Sequence, residues 1–157
     1  MLNVRAKRAV VGLIAIVGAI VGLSSITAGP ATAAGTGSWR AFGNTNPITS
    51  STSHWTCGAT VGIDGNLIAQ VCVVRSAFGD TVQGAVIVRN NGPFVFALEA
   101  SGTVLNADEI AIRTWDCPMS GVGANSWSVC FGQTFTDEFA VFARGFANRP
   151  LPQTALS

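Results

Sequence analysis

Residues 56–75 read TCGATVGIDGNLIAQVCVVR. Asp64-Gly65 is a strong signal for a two-residue hairpin, because both central residues of a type I′ turn need φ > 0 and Asp-Gly tolerates that conformation. A turn centred on this pair sets Cys57 directly opposite Cys72. They would meet at a hydrogen-bonded pair with Cα atoms about 5.5 Å apart, inside the range a disulfide spans. Turn chemistry and cysteine placement agree independently, so the stretch predicts a β-hairpin closed by Cys57–Cys72.

Strands follow on the C-terminal side. Residues 81–90 (TVQGAVIVRN) alternate, with Val82, Val86 and Val88 on one face and Gln83, Ala85, Ile87 and Arg89 on the other. Asn91-Gly92 offers a second hairpin turn into 93–100, where Phe94, Phe96 and Leu98 share a face. Pro93 cannot donate to a ladder, which implies a longer connection or a sheet edge there. Residues 109–115, 126–135 and 138–147 are further Val-, Ile-, Phe- and Trp-rich runs, and no stretch keeps a helical period. About seven short strands with regular turn signals predict an all-β fold, an antiparallel β-sandwich of immunoglobulin-like or similar type, over residues 54–147. The Gly-, Ser-, Thr- and Asn-rich residues 35–53 read as a flexible arm whose apolar residues Trp39, Phe42 and Ile48 can dock on the body, and 148–157, with Pro150 and Pro152, as an extended, peripheral tail.

The other end of the chain has a different grammar. Arg5, Lys7 and Arg8 precede an apolar run from Ala9 to Ile26, and Ala31-Thr32-Ala33-Ala34 follows Pro30. This is the three-part layout of a secretory signal peptide over residues 1–34, with cleavage after Ala33 or Ala34. The 157 residues carry a formal net charge of +1 and are 11% charged, but all three basic residues of the leader leave with it. What remains has six arginines, no lysine and eight acids, a net charge of −2. A strongly basic nucleic-acid binder is excluded on that arithmetic.

All four cysteines lie after the leader, and an even number in a short exported chain reads as two disulfides. With Cys57 paired to Cys72, elimination gives Cys117–Cys130. No C-x-x-C spacing occurs and His54 is the only histidine, so no metal and no cofactor are expected. His54 could act as a general base beside Ser51, Ser53, Asp108 or Asp116, but no spacing selects a partner. Asp108, Glu109, Asp137 and Glu138 read as solvated loop residues rather than a hydrolytic carboxylate pair. Trp55 and Trp115 stand two residues before Cys57 and Cys117, hence on the same strand face, and read as packing around the bridges. Trp39 lies off that pattern and is the better candidate for an exposed contact.

The segment 117–130 (CPMSGVGANSWSVC) reads as a glycine-bearing loop tethered by its own disulfide, presenting Pro118, Met119 and Ser120. Cys117-Pro118-Met119 resembles the reactive-site segment of the subtilisin-inhibitor family of streptomycete-type bacteria, which would imply substrate-like inhibition by a pre-ordered loop. More broadly, the leader, the Arg-for-Lys bias and the runs Trp55-Thr56-Cys57-Gly58, Ala69-Gln70-Val71-Cys72, Val86-Ile87-Val88-Arg89-Asn90-Asn91 and Val129-Cys130-Phe131-Gly132 resemble small secreted actinobacterial proteins of unknown function. That resemblance implies export and two disulfides and transfers no activity. The chain is therefore expected to be a secreted, non-enzymatic binding module. Its partner would be an extracellular protein or a glycan, with no nucleic acid and, after leader cleavage, no membrane. Protease inhibition through the Cys117–Cys130 loop is the alternative, and a small hydrolase around His54 ranks behind it.

Overall fold

The structure is a computed structural model in which residues 35–157 are described; the expected leader, 1–34, lies outside the described residues. Its strands are β1 (Gly35–Thr36), β2 (Ser38–Gly43), β3 (His54–Cys57), β4 (Val61–Asp64), β5 (Leu67–Arg75), β6 (Thr81–Asn90), β7 (Phe96–Asn106), β8 (Ala111–Val122), β9 (Ser126–Phe131), β10 (Phe135–Thr136), β11 (Val141–Ala147) and β12 (Pro150–Leu151). Seven of these have six residues or more; β5, β6, β7, β8, β9 and β11 fall where alternation and turn signals pointed, whereas β2 lies in the expected arm. They form two sheets. Sheet I runs β1-β8-β7-β11-β12, and sheet II runs β2-β9-β6-β5-β3, with β4 following β3 along the edge of β5 and β10 attached to β6. All pairings are antiparallel except β1 with β8.

The first hairpin forms, and Cys57 faces Cys72 in a disulfide. The turn differs from the expected one. Asp64 pairs with Leu67, so the central residues are Gly65 and Asn66, and only Gly65 has positive φ (46°). Glycine first with a normal residue second is the type II′ pattern, not type I′. The turn lies one residue further along than Asp64-Gly65 would put it, and two one-residue register shifts, one at Ile63 and one across Gly58–Thr60, restore the alignment at the cysteines. Gly58 N–H donates to the Val71 carbonyl at 2.9 Å, which makes Gly58 and Val71 the hydrogen-bonded pair. Cys57 and Cys72 therefore occupy the closer, non-hydrogen-bonded position, with Cα atoms 4.0 Å apart rather than about 5.5 Å.

One connection expected as a hairpin and one expected as a disulfide-tethered loop are crossovers between sheets. After β6 the chain leaves sheet II for β7 in sheet I. Buried Asn90 fixes this passage: its Nδ2 donates to the carbonyls of Phe94 (2.7 Å) and Val122 (3.1 Å), and its Oδ1 accepts from Gly92 N–H (2.8 Å). Phe94 is consequently outside any strand and exposed, not aligned with half-buried Phe96 and buried Leu98. The second case overturns the tethered-loop reading of 117–130. Cys117 to Val122 belong to β8 in sheet I, and Ser126 to Cys130 belong to β9 in sheet II. Only Gly123, Ala124 and Asn125 connect them, and the Cys117–Cys130 bridge (Cα separation 5.9 Å) links the two sheets through the core.

Both open sides of the sandwich are closed by chain that the sequence reading set aside. Residues 35–53, expected as an arm, supply β1 to sheet I and β2 to sheet II. The switch occurs at Gly37, where a Cβ would stand 2.7 Å from the Cys117 Sγ. The tail is extended as expected but structural. Buried Leu151 enters the core, Thr154 N–H donates to Ala143 O at 3.0 Å, and Ser157 exchanges bonds of 2.9 and 3.1 Å with Val141. Edge strands with unpaired backbone invite association, and covering them removes that template.

The core between the sheets is built from Val71, Val73, Val82, Val86, Val88, Leu98, Val104, Val122 and Val141 around Trp115. Trp115 is 2% exposed, and its indole fits a socket made by glycines on both sheets. A Cβ on Gly84 or Gly102 would overlap the ring, and one on Gly132 would meet it at 3.0 Å. The outer face of sheet II carries a second, smaller cluster: Cys72, Val74, Ala85, Ile87 and Val129 beneath Phe42, Ile48, Trp55, Trp127 and Phe131. Central strands β5 and β6 are thus covered on both faces. Overpacking a closed site costs about 1–3 kcal/mol. Gly84→Ala should therefore lose about 2 kcal/mol or more in urea unfolding under non-reducing conditions. Gly62→Ala, with nothing within 4 Å of its added Cβ, should stay within about 0.5 kcal/mol.

Candidate functional site

The residues singled out from sequence sit around the inter-sheet bridge. Trp39 lies opposite Cys130 in the β2–β9 ladder, packs against the core, and donates its indole N–H to the Pro118 carbonyl at 2.7 Å. Leu98 pairs with Ser120 and Ala100 with Cys117, so Pro118 and Met119 together oppose the single residue Glu99. This is a β-bulge, a position that tolerates proline's missing N–H. Met119 is 70% exposed there. Trp39 and Pro118 are thus brought together as a structural contact, and Met119 projects from a paired strand. His54 is exposed at the start of β3, opposite Arg75 in the ladder. Among the described residues no hydrogen bond reaches its imidazole, and no three His, Cys, Asp or Glu side chains gather as a metal site.

A different surface stands out once the strands are placed. At the end of the sandwich where β5, β7 and β10 finish and β6, β8 and β11 begin, three turns and the tail expose large apolar side chains. Phe78 is 95% exposed, Phe139 80%, Ile110 62% and Leu156 56%. Arg75, the last residue of β5, organises this end. Its Nη1 donates to the carbonyls of Gly79 (3.1 Å) and Asp137 (2.8 Å), and its Nη2 to those of Phe139 and Ser157 (3.0 Å to the latter). One guanidinium therefore pins the turn bearing Phe78, the turn bearing Phe139 and the tail bearing Leu156. The turns are also braced internally. Ser76 Oγ donates to Asp80 Oδ1 at 2.6 Å, Phe139 N–H to Asp137 Oδ1 at 2.8 Å, and Ile110 N–H to Asn106 Oδ1 at 2.8 Å.

Beside Phe139 lies a cleft of about 540 Å³ walled by Ile112, Phe139, Ala107 and Ala140, with Asp108 and Asp137 on its rim. Asp80 and Glu138 stand in the adjoining turns. None of these four acids takes part in an ion pair among the described residues; the single pair there joins Glu109 to Arg144 at 2.9 Å. The surface is thus apolar at its tips, with four acids against the single guanidinium of Arg75 between them. Comparison with protein-family models, curated proteins and solved structures found no match to this chain.

Sequence reading missed this end. Ser-Ala-Phe-Gly-Asp at 76–80 and Thr-Asp-Glu-Phe-Ala at 136–140 each place a phenylalanine among turn-forming residues, and that is the available signal. The four carbonyls on Arg75 have no signature in sequence. Hydrogen bonds to a charged group contribute about 1.5–3 kcal/mol each and do not add simply within one network. Arg75→Met should therefore lower unfolding stability by about 2–4 kcal/mol and speed amide exchange at Gly79, Thr154 and Ser157. Arg75→Lys should recover less than half, because a point ammonium cannot reproduce the guanidinium fork.

Proposed function

We propose that this chain is an exported, non-enzymatic binding module that docks through its Phe78–Phe139 end onto an extracellular protein segment combining apolar and basic side chains. The observation that carries the reading is the pair of almost fully exposed phenylalanines held on braced turns beside an apolar cleft with an unpaired acidic rim. Apolar side chains this exposed and this clustered mark contact surfaces on soluble proteins. Bracing by Arg75 reduces the ordering cost of association, so the tips are presented rather than floppy. Asp80, Asp108, Asp137 and Glu138 favour a partner carrying Lys or Arg beside its apolar anchor and disfavour an anionic membrane surface.

Export is supported by the leader-like layout of residues 1–34 and by two disulfides, which are typical of extracellular proteins. Gly35, directly after the proposed cleavage site, is the first residue paired in sheet I. The protease-inhibitor reading is less well supported. Ser120 is paired in β8, and the Pro118 carbonyl already accepts a hydrogen bond from Trp39. A protease would need that backbone free to add it as a strand.

Selection of displayed peptides against residues 35–157 tests the reading. Enriched peptides should carry an aromatic or branched apolar residue flanked by Lys or Arg, and their affinity should fall with salt. Losing a well-buried aromatic anchor typically costs about 2 kcal/mol or more. Phe139→Ser and Phe78→Ser should therefore each weaken binding by tenfold or more, and Asp108→Asn by less. Peptides of no common chemistry, or peptides indifferent to both phenylalanine variants, would remove this end as the docking surface.

A further inference from the structure

A second concave site lies on the outer face of sheet II, about 260 Å³ in volume, between β2, β3 and the 44–53 segment. Its walls are the rings of Phe42, Trp55 and Phe131. Phe131 packs at 6.0 Å from Trp55 and 6.4 Å from Phe42, tilted 60° and 54°, so the rings form a wedge rather than a flat floor. Pro47 and Val74 add apolar lining, and the rest is polar: Arg40, Gln83, Ser50, Ser51 and Ser53.

The hydrogen-bonding capacity of these groups is only partly used. Gln83 spends its Nε2 on the Gly132 carbonyl at 2.8 Å, which leaves Oε1 as an acceptor. Ser51 Oγ accepts from Ser53 N–H at 3.1 Å and keeps its hydroxyl proton to donate. The Trp55 indole N–H is buried and has no acceptor. Arg40 lies over the Phe42 ring at 5.0 Å, and among the described residues its guanidinium has neither a carboxylate nor a carbonyl partner. It is the only charged residue lining the cleft. Aromatic rings beside unused donors and acceptors match a sugar, whose C–H faces pack on rings while its hydroxyls both donate and accept. A lone, unpaired guanidinium adds a preference for a carboxylate, which it can grip with two parallel hydrogen bonds.

We infer that this cleft binds an acidic sugar unit, of uronic or sialic acid type, with Arg40 on the carboxylate, Gln83 and Ser51 on hydroxyls, and Trp55 and Phe131 against the ring. The site is separate from the Phe78–Phe139 end and does not depend on that reading.

The test is a titration of ¹⁵N-labelled residues 35–157 with glucuronate, galacturonate and N-acetylneuraminate, and with glucose and galactose as neutral counterparts. The Trp55 indole cross-peak, assigned by its loss in Trp55→Phe, is the readout. At least one acidic sugar should shift it saturably, and the response should weaken with salt. A charge-assisted contact contributes enough that Arg40→Gln should weaken binding about tenfold or more, with Arg40→Lys intermediate. Arg40 is exposed, so both variants should keep the wild-type thermal midpoint; Ser51→Ala is the second variant and should weaken binding less. Equal response to neutral and acidic sugars, retained affinity in Arg40→Gln, or no Trp55 shift with any of the five sugars would each overturn the assignment.

Discussion

The seating of Trp115 between the sheets is the contact on which the rest of the architecture depends. Between two β-layers an indole needs room that side chains at facing positions would otherwise fill. Here three of those positions, Gly84 on β6, Gly102 on β7 and Gly132 just past β9, leave the space empty. The socket draws on both sheets, so a buried ring fixes their relative placement as well as filling volume. Cys117 lies two residues along the same strand and therefore points inward too, which is what lets it reach Cys130 across the core. The indole N–H has no acceptor there. Leaving a buried donor unmade costs about 1–3 kcal/mol, of the same order as burying a large apolar side chain contributes. The bridge and the surrounding valines then hold a placement that the tryptophan alone would secure only marginally.

A second constraint is the scarcity of charge. With 11% charged residues, ion pairs cannot brace the turns, and one exposed pair is all the described residues contain. The arginines are used instead as clamps on backbone and amide groups. Arg75 holds four carbonyls, Arg89 the Asn125 carbonyl and the Asn91 side chain, and Arg149 the Gly62 carbonyl. A guanidinium with several donors in a fixed plane suits this work better than lysine, and the chain beyond residue 34 has no lysine at all. Against that pattern Arg40 stands apart, because its donors are not committed to the fold.

What could be read from sequence was what neighbouring residues determine. The limits of β6, 81–90, followed from alternation alone, since each of its side chains faces a defined layer. Cys57–Cys72 followed from a local turn, although the turn lies one residue away and two bulges restore the register. Sheet membership was not legible. Asn91-Gly92 has the chemistry of a tight hairpin, yet Asn90 spends its side chain on Phe94, Gly92 and Val122, and that long-range last contact turns the chain into the other sheet. The 117–130 spacing fits a hairpin loop and an inter-sheet bridge equally well. The candidate surfaces were hidden for a related reason. A phenylalanine contributes the same apolar content whether it fills the core, as expected for Phe94, or projects into solvent, as Phe78 does.

The two proposed contact surfaces meet at consecutive residues of one strand. Val74 faces outward from sheet II and lines the polar cleft, while Arg75, next along β5, gathers the turns of the apolar end. Their partners on β3 are equally adjacent, with Trp55 opposite Val74 and His54 opposite Arg75. Successive side chains on a strand point to opposite faces, so this junction divides the chemistry: an aromatic and polar surface on one side, apolar tips with acids on the other. Strand β5 is buried along most of its length and tied to β3 by the Cys57–Cys72 bridge, so neither surface can deform the other cheaply. Coupling between two sites requires an element with two accessible arrangements that both ligands bias. A disulfide-closed ladder flanked by packed sheet supplies none at this junction. The architecture is therefore that of a rigid scaffold displaying two chemically distinct surfaces, each with a specificity set by its own residues.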